Sequence, residues 1–260
     1  MLRNTPIPIL YGPTASGKSG AAIELAQNTN GLIINADAMQ CYDALHILTA
    51  QPSVEEQGDI PHRLYGIIPP SQNSIVTDWL KLALHEIEKA QKEGYTPILV
   101  GGTGFYIQAL MDGLSPIPEI PDTYRAQAIH IFEDDGLAPL LADLDAYNTE
   151  HAMKLDRQNP QRVIRAWEVL QATGQSIQEW QDAPKISPAP DLVFDVRPIT
   201  RPRQEIIDRI HARFDLMLDM GILDEVKDLS DQIDRGEVPE DALIIKAHGF
   251  RPLRAYLKGE

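Results

Sequence analysis

The sequence has 260 residues, of which 43% are hydrophobic and 23% charged, as is ordinary for a soluble globular chain of one or two domains. Its 38 acidic residues outnumber 23 basic ones, giving a formal net charge of −15, which argues against a non-specific polyanion binder but leaves room for nucleic acid in a local basic cleft. A single cysteine, Cys41, excludes an intramolecular disulfide and a cysteine-based zinc cluster.

No apolar run reaches the roughly 18–20 residues that a membrane helix requires. The stretch from Met1 to Leu10 contains one arginine and two prolines but no long apolar region, which is unlike a signal peptide. We therefore expect a cytoplasmic protein without a membrane segment. We also expect a monomer.

The first half of the chain alternates between short apolar runs and helical patterns. The predicted strands are Ile7–Tyr11, Leu32–Ile34 and Pro97–Val100, and the predicted helices include 21–26 and 79–87, the latter closed by Gly94. Continuous apolar strands that alternate with helices indicate a parallel α/β sheet.

The pattern changes after Pro116, Pro118 and Pro121. Residues 123–181 are predicted to be mostly helical, with one amphipathic helix over 162–170 that begins beside Asn159-Pro160. A strand over 192–196 and a long helix over 204–220 follow. We therefore predict an α/β core formed by 1–120 and 186–260, with a helical insertion at 121–185.

A glycine-rich segment follows the first strand and opens the first helix. It matches G-x-x-x-x-G-K-[ST] and consists of Gly12, Pro13, Thr14, Ala15, Ser16, Gly17, Lys18 and Ser19. Such a loop turns backbone N–H groups towards an anion at a helix N-terminus, while the lysine reaches the phosphates and the serine can hold Mg²⁺. The motif predicts a P-loop NTPase-like parallel core but does not identify the phosphate ligand.

Polar residues follow two further predicted strands. Asp37 ends the second strand, and Gly101-Gly102-Thr103 ends the third. Since ligands gather at the carboxyl ends of parallel strands, we expect Asp37 and Thr103 to share a crevice with Lys18. Asp37 could hold Mg²⁺ through water or act as a base on an acceptor.

Five segments together resemble a known family. They are GPTASGKS at 12–19, INADAMQCYDALHILTAQPS at 34–53, PHRL at 61–64, LVGGTGFYIQALMDGLSPIP at 99–118 and DRQNPQRVIRAWEVLQATG at 156–174. In this order they are similar to the tRNA dimethylallyltransferases, which transfer a dimethylallyl group from its diphosphate to N6 of adenosine 37 in the tRNA anticodon loop. The similarity covers nearly the whole chain.

The resemblance implies roles for individual residues. Residues Gly12 to Ser19 would bind dimethylallyl diphosphate with Mg²⁺ as cofactor, Ser19 being its protein ligand, and the catalytic residues would be Asp37 as base, Thr103, Lys18 and Arg203. The tRNA contacts would come from Asp37, Ala38, Met39, Gln40, Thr103, Arg125, Gln161, Arg162, Val163, Ile164 and Arg165. The helical insertion would thus be the tRNA-contacting domain.

Some positions depart from the family pattern. Ala38 replaces the usual Ser, Leu48 the usual Gly and Gln51 the usual Lys, while 246–251 is a loose version of the Ala-Ile-Gly-Tyr-Arg motif. The family pattern usually continues into a basic helix, whereas this sequence ends at Glu260. Two alternatives remain for the P-loop, an ATP-dependent small-molecule kinase and a non-enzymatic binding module.

Overall fold

Five parallel strands form the sheet of this computed structural model, which describes residues 5–260. The strands are β1 (Ile7–Tyr11), β2 (Gly31–Asn35), β3 (His62–Arg63), β4 (Thr96–Gly101) and β5 (Phe194–Pro198), in the spatial order β3-β2-β4-β1-β5. Ile34 pairs with Leu99, and Ile9 pairs with both Leu99 and Val196. The predicted parallel α/β core is therefore confirmed, and β4 lies between the strand that precedes the P-loop and the strand that precedes Asp37.

Helices connect and flank these strands. They are α1 (Lys18–Thr29), α2 (Val54–Gln57), α3 (Val76–Lys92), α4 (Gly104–Asp112), α5 (Asp122–Asp135), α6 (Ala138–Met153), α7 (Pro160–Thr173), α8 (Ile177–Asp182), α9 (Arg203–Asp219), α10 (Ile222–Asp234) and α11 (Phe250–Lys258), with 3₁₀ turns at Met39–Cys41 and Leu243–Lys246. No helix among the described residues combines the length and the apolar character needed to span a membrane.

The chain divides into two compact units, 5–111 with 188–260 and Asp112–Ser187. The sequence predicted 121–185 for the inserted unit. The two chain segments that lead into and out of this unit run side by side. They approach so closely that a Cβ on Gly113 would collide with the carbonyl oxygen of Ile186. The inserted unit therefore includes the chain on both sides of the predicted helices.

The first unit buries apolar side chains on both faces of the sheet. One face packs against α3 and α4, and the other packs against α1. Alternation along β2 explains this division, since Leu32 and Ile34 belong to the first cluster and Ile33 to the second. A third cluster joins α10, α11 and the 3₁₀ turn at Leu243–Lys246 to Tyr42 and Leu45.

The second unit is helical, with a separate core among α5, α6 and α7. Helix α7 begins where the sequence predicts, because Asn159 accepts a hydrogen bond from Arg162 N at 3.3 Å and Pro160 occupies the first turn. It ends at Gly174, whose φ of 71° is left-handed.

Candidate active site

The P-loop lies between β1 and α1. Ser16 N donates to Pro13 O at 3.2 Å, which closes the turn, and Gly17 precedes the helix with a φ of 95°. A side chain is strained at that angle, which explains the glycine. The turn sets the loop against the N-terminus of α1, where backbone N–H groups and the helix dipole favour an anion.

Lys18 is the first residue of α1 and is partly buried. Its Nζ lies 3.4 Å from Pro13 O. Burial lowers the pKa of the Lys18 ammonium, the negative charge of Asp37 raises it, and the positive charge of Arg213 lowers it again. The ammonium is therefore incompletely solvated, and an incoming anion would stabilise it.

Two arginines brace the P-loop from its carbonyl side. Arg201 Nε donates to Ser16 O at 2.8 Å, and Arg209 Nε donates to Ala15 O at 2.8 Å. Arg213 lies one turn beyond Arg209 on α9, and burial together with the charge of Arg209 lowers its pKa. These like charges beside one loop favour an anion in the same place.

Arg203, the arginine that the resemblance placed at the diphosphate, lies exposed in the first turn of α9. Within the described residues, no hydrogen bond joins it to the P-loop. At 3.6 residues per turn, Arg203 points about 100° away from the direction shared by Arg209 and Arg213, which lie one turn apart. The contacts to the loop thus come from Arg201 and Arg209, which the sequence-based assignment missed.

The side chains of the P-loop differ in their access. Thr14 and Ser19 are exposed, whereas Ser16 is fully buried and its hydroxyl has no hydrogen-bond partner among residues 5–260. The Ser16 side chain therefore lies beneath the loop, and an anion at the surface would contact the backbone and Lys18.

Asp37 follows β2 in a turn that Asn35 organises. Asp37 N donates to Asn35 Oδ1 at 2.8 Å, and Asn35 Nδ2 donates to the carbonyl oxygens of Asp37 at 2.9 Å and Leu64 at 3.0 Å. The Asp37 carboxylate accepts a hydrogen bond from Met39 N at 3.1 Å through Oδ1. Asn35 is fully buried, so the turn that presents Asp37 is held from inside the protein.

The residues after β4 lie next to those after β2. Ala38 N donates to Thr103 Oγ1 at 3.0 Å. A Cβ on Gly102 would lie 3.2 Å from Asp37 Oδ2 and 4.0 Å from Lys18 Nζ. Asp37, Thr103 and Lys18 therefore meet at one sheet edge, as strand-end geometry predicts, with the bare backbone of Gly102 between the carboxylate and the ammonium.

Met39 and Gln40 complete the segment that the resemblance assigned to the adenine. Met39 is partly buried against the C-terminal helical cluster. The Gln40 side chain donates from Nε2 to Thr49 O at 2.8 Å and to Ala50 O at 2.9 Å. Gln40 thus braces the segment that follows it.

In the helical unit, one buried carboxylate binds two of the assigned arginines. Glu168 is 2% exposed and accepts hydrogen bonds from Arg125 and Arg165, each at 3.0 Å. Gln161 and Arg162 lie on the surface of α7.

Val163 and Ile164 also belong to the segment assigned to tRNA. Both side chains are buried in the core of the helical unit, at 0% and 7% exposure, and are not available to a ligand. Five consecutive helical residues span more than one face, so a segment transferred as a whole includes inward-facing positions.

Cys41 is fully buried, and burial raises the pKa of its thiol to about 12. No group of three or more His, Cys, Asp and Glu side chains in the described part of the chain could hold a metal. The Ser19 hydroxyl in the P-loop and the Asp37 carboxylate beside it are two oxygen donors of the kind that Mg²⁺ accepts. This sparse set suits Mg²⁺ bound mainly through substrate phosphates, and not a metal held by protein ligands alone.

A phosphate loop beside a strand-end carboxylate, on a parallel sheet, defines a P-loop α/β protein that can hold an anion close to an acidic group. Comparison with known proteins assigns the chain to a family. The family model described as IPP transferase matches residues 40–260. The chain belongs to the IPP transferase family, which confirms the resemblance of the five segments.

Individual relatives agree with this assignment. The chain is 43% identical to tRNA dimethylallyltransferases of Rhodospirillum centenum and Paramagnetospirillum magneticum, over 98% and 99% of its length and 80% of theirs. It matches the tRNA isopentenylpyrophosphate transferase of Bacillus halodurans with a TM-score of 0.64 and 30% identity, over 98% of this chain and 78% of that one. A eukaryotic dimethylallyltransferase acting on tRNA gives a TM-score of 0.79 and 25% identity, over 98% of this chain and 63% of that one. These relatives do not favour the kinase alternative.

Proposed function

We propose that the protein transfers a dimethylallyl group from dimethylallyl diphosphate to N6 of adenosine 37 in the tRNA anticodon loop. The observation that carries the proposal is the meeting of Lys18 and Asp37 around Gly102. A cation on the P-loop suits the diphosphate, and a carboxylate at the adjoining strand end suits the amine that attacks the allylic carbon.

On the donor side, the proposed reaction depends on neutralising the leaving diphosphate. Lys18 and the N-terminus of α1 face the anion, while Arg201 and Arg209 hold the loop through its carbonyl groups. Positive groups that are fixed before the reaction stabilise charge as it develops on the leaving oxygen. Arg213, close enough to Lys18 to lower its pKa, adds to the same field.

On the acceptor side, a C–N bond forms between adenine N6 and the allylic carbon as the C–O bond to the diphosphate breaks. Asp37 would accept the N6 proton through the carboxylate oxygen that faces Gly102, since Oδ1 already accepts from Met39 N. A base in a structured loop must leave its stack to reach this edge of the sheet. Thr103, bonded to Ala38 N, would border the same pocket.

Mg²⁺ would be bound by the diphosphate and the Ser19 hydroxyl, and it would supply additional positive charge for the departing group. The tRNA would be contacted by Asp37–Gln40 and Thr103 in the first unit and by Arg125, Gln161, Arg162 and Arg165 in the helical unit. We further propose that the protein acts as a cytoplasmic monomer, as a tRNA-modifying enzyme would.

The donor assignment can be tested by thermal unfolding with dimethylallyl diphosphate or ATP, each with Mg²⁺. A ligand at ~100 times its dissociation constant stabilises a protein by about 2.7 kcal/mol. We expect dimethylallyl diphosphate to raise the midpoint and ATP to leave it nearly unchanged. The Lys18→Ala variant should lose most of the shift, and Lys81→Ala, an exposed lysine on α3, should retain it.

A shift with ATP but none with dimethylallyl diphosphate would contradict the proposal and favour the P-loop kinase. Equal shifts in the Lys18→Ala variant and the wild type would remove the P-loop from the donor site. Binding of dimethylallyl diphosphate without any transfer to tRNA would favour the non-enzymatic binding module.

A further inference from the structure

Residues 45–50 form a strained segment beside the proposed acceptor site. Leu45 has a φ of 54° and Ala50 a φ of 52°, so left-handed non-glycine residues stand at both ends of the segment. Such residues cost conformational free energy and persist where surrounding contacts determine the backbone. The contacts that hold this segment therefore matter for the geometry next to it.

Glu225, in the first turns of α10, holds the middle of this segment. Its Oε1 accepts from Ile47 N at 2.8 Å, and its Oε2 accepts from Leu48 N at 3.0 Å. Both oxygens of one carboxylate thus bind consecutive backbone amides in charge-assisted hydrogen bonds. Because the donors are backbone groups, a leucine at 48 can make the same contact as the glycine that the family pattern carries there.

Gln40 holds the end of the same segment. Its Nε2 donates both hydrogens, one to Thr49 O at 2.8 Å and one to Ala50 O at 2.9 Å. Both N–H groups of the Gln40 amide are therefore used within the protein, and Oε1 is the atom left to accept a further hydrogen bond. Gln40 therefore depends on the path of residues 45–50, and Glu225 binds the middle of that same segment.

The helix before α10 contacts the donor side. Helix α9 carries Arg209, which binds the P-loop at Ala15 O, and Gly221 separates α9 from α10. Consecutive helices thus hold the phosphate loop and the segment that supports Gln40. Met217 of α9 and Val226 of α10 share a buried cluster with Leu45, which makes the connection rigid.

We propose that Glu225 is a positioning residue of the transferase, holding residues 45–50 so that Gln40 and the neighbouring Asp37 face the acceptor base in a fixed arrangement. This inference rests on the proposed function. Glu225 contacts neither the P-loop nor Asp37 directly among the described contacts, so its effect should fall on the use of tRNA and not on donor binding.

The test is the Glu225→Gln substitution. Glutamine preserves the size of the side chain, but its N–H₂ group faces the backbone N–H of Ile47 or Leu48, which then loses its acceptor. We expect kcat/KM for tRNA to fall about tenfold or more, as loss of a charge-assisted hydrogen bond implies. The thermal shift with dimethylallyl diphosphate should match the wild type. Asp224→Asn, which removes a charge from the same helix terminus at an exposed position, is the matched control and should behave as wild type.

Two readouts separate positioning from general stability. Hydrogen exchange at the amides of Ile47 and Leu48 should accelerate in Glu225→Gln and not in Asp224→Asn. The double variant Gln40→Ala with Glu225→Gln should lose little more tRNA kcat/KM than the worse single variant, because both act through one segment. If Glu225→Gln does not fold, Glu225→Asp, whose shorter side chain cannot hold both amides, must accelerate exchange at Ile47 and Leu48 and lower tRNA kcat/KM without loss of donor binding.

Unchanged exchange at these amides, a tRNA kcat/KM equal to that of Asp224→Asn, or additive losses in the double variant would each overturn the proposal. An absence of transfer by the wild-type protein would instead contradict the proposed function. In that case the exchange measurement still decides whether Glu225 holds the segment.

Discussion

Asp37 has two possible roles in the reaction, as the general base that accepts the N6 proton or as a ligand of hydrated Mg²⁺. Its Oδ1 accepts a hydrogen bond from Met39 N. Its Oδ2 faces Gly102, and Lys18 Nζ lies near the same glycine. A carboxylate with one oxygen committed to the backbone and the other directed at the crevice suits proton transfer. The same position lies near enough to the P-loop to bind a hydrated Mg²⁺.

Substitution of Asp37→Asn distinguishes these roles. As the base, Asp37 should contribute roughly 10²–10⁴-fold to the transfer rate, with little change in affinity for the donor or the tRNA. The measurement is single-turnover transfer at saturating substrates over a series of Mg²⁺ concentrations, with exposed Asp59→Asn as the control. Recovery of the rate at millimolar Mg²⁺ would assign Asp37 to the metal instead.

Cys41 offers a check on the packing behind Asp37. Burial and the charge of Asp37 raise its pKa to about 12, so the unreactive thiol predominates at lower pH. We expect no labelling of the native protein by a thiol reagent near pH ~8 and one labelled thiol per chain after denaturation. Rapid labelling of the native protein would show that this side of the site is open.

At the scale of elements, apolar runs and helical periodicity predicted β1, β2, β4, α3 and α7, because burial of one face or of the whole strand produces those patterns. Helix α9 was also predicted, although Met217 is its one buried residue among those described. The strand β3 was missed, since its two residues, His62 and Arg63, are too few to show a period. Strand-end geometry predicted which segments meet at the sheet edge. The resemblance did not predict that Arg201 and Arg209 would hold the P-loop through its carbonyl oxygens, because these bonds join residues 185 and 194 positions apart.

Contacts between distant segments were also beyond a sequence-based prediction. Glu225 and Ile47 lie 178 residues apart, and no local pattern connects them. Glu168 could be predicted as a partner of Arg165 three residues earlier, but its burial and its bond to Arg125 depend on the packing of α5 against α7.

The prediction about tRNA binding concerns arginines on α7 and on its neighbour α5. Arg125 and Arg165 share the single negative charge of Glu168, so the group stays positive, and Arg162 is exposed beside it. We expect Arg162→Ala and Arg165→Ala each to reduce the slope of log affinity for tRNA against log salt by about one unit. Lys81→Ala should leave the slope unchanged, and unaltered slopes in the arginine variants would show that this face of α7 does not contact phosphate.

For the whole molecule, the net charge of −15 contrasts with the local concentration of Lys18, Arg201, Arg209 and Arg213 at the P-loop. An acidic surface repels nucleic acid at long range, so binding depends on local basic groups and on the shape of the anticodon loop. We therefore expect selective recognition of one nucleoside in one loop.

The most direct test is incubation of the protein with dimethylallyl diphosphate, Mg²⁺ and a tRNA that carries adenosine 37, followed by nucleoside digestion and mass spectrometry. We predict an adenosine whose N6 carries one dimethylallyl group, located at position 37, with no product from the same tRNA carrying guanosine there. Unmodified adenosine after prolonged incubation with saturating substrates, or equal modification of the guanosine variant, would contradict the account.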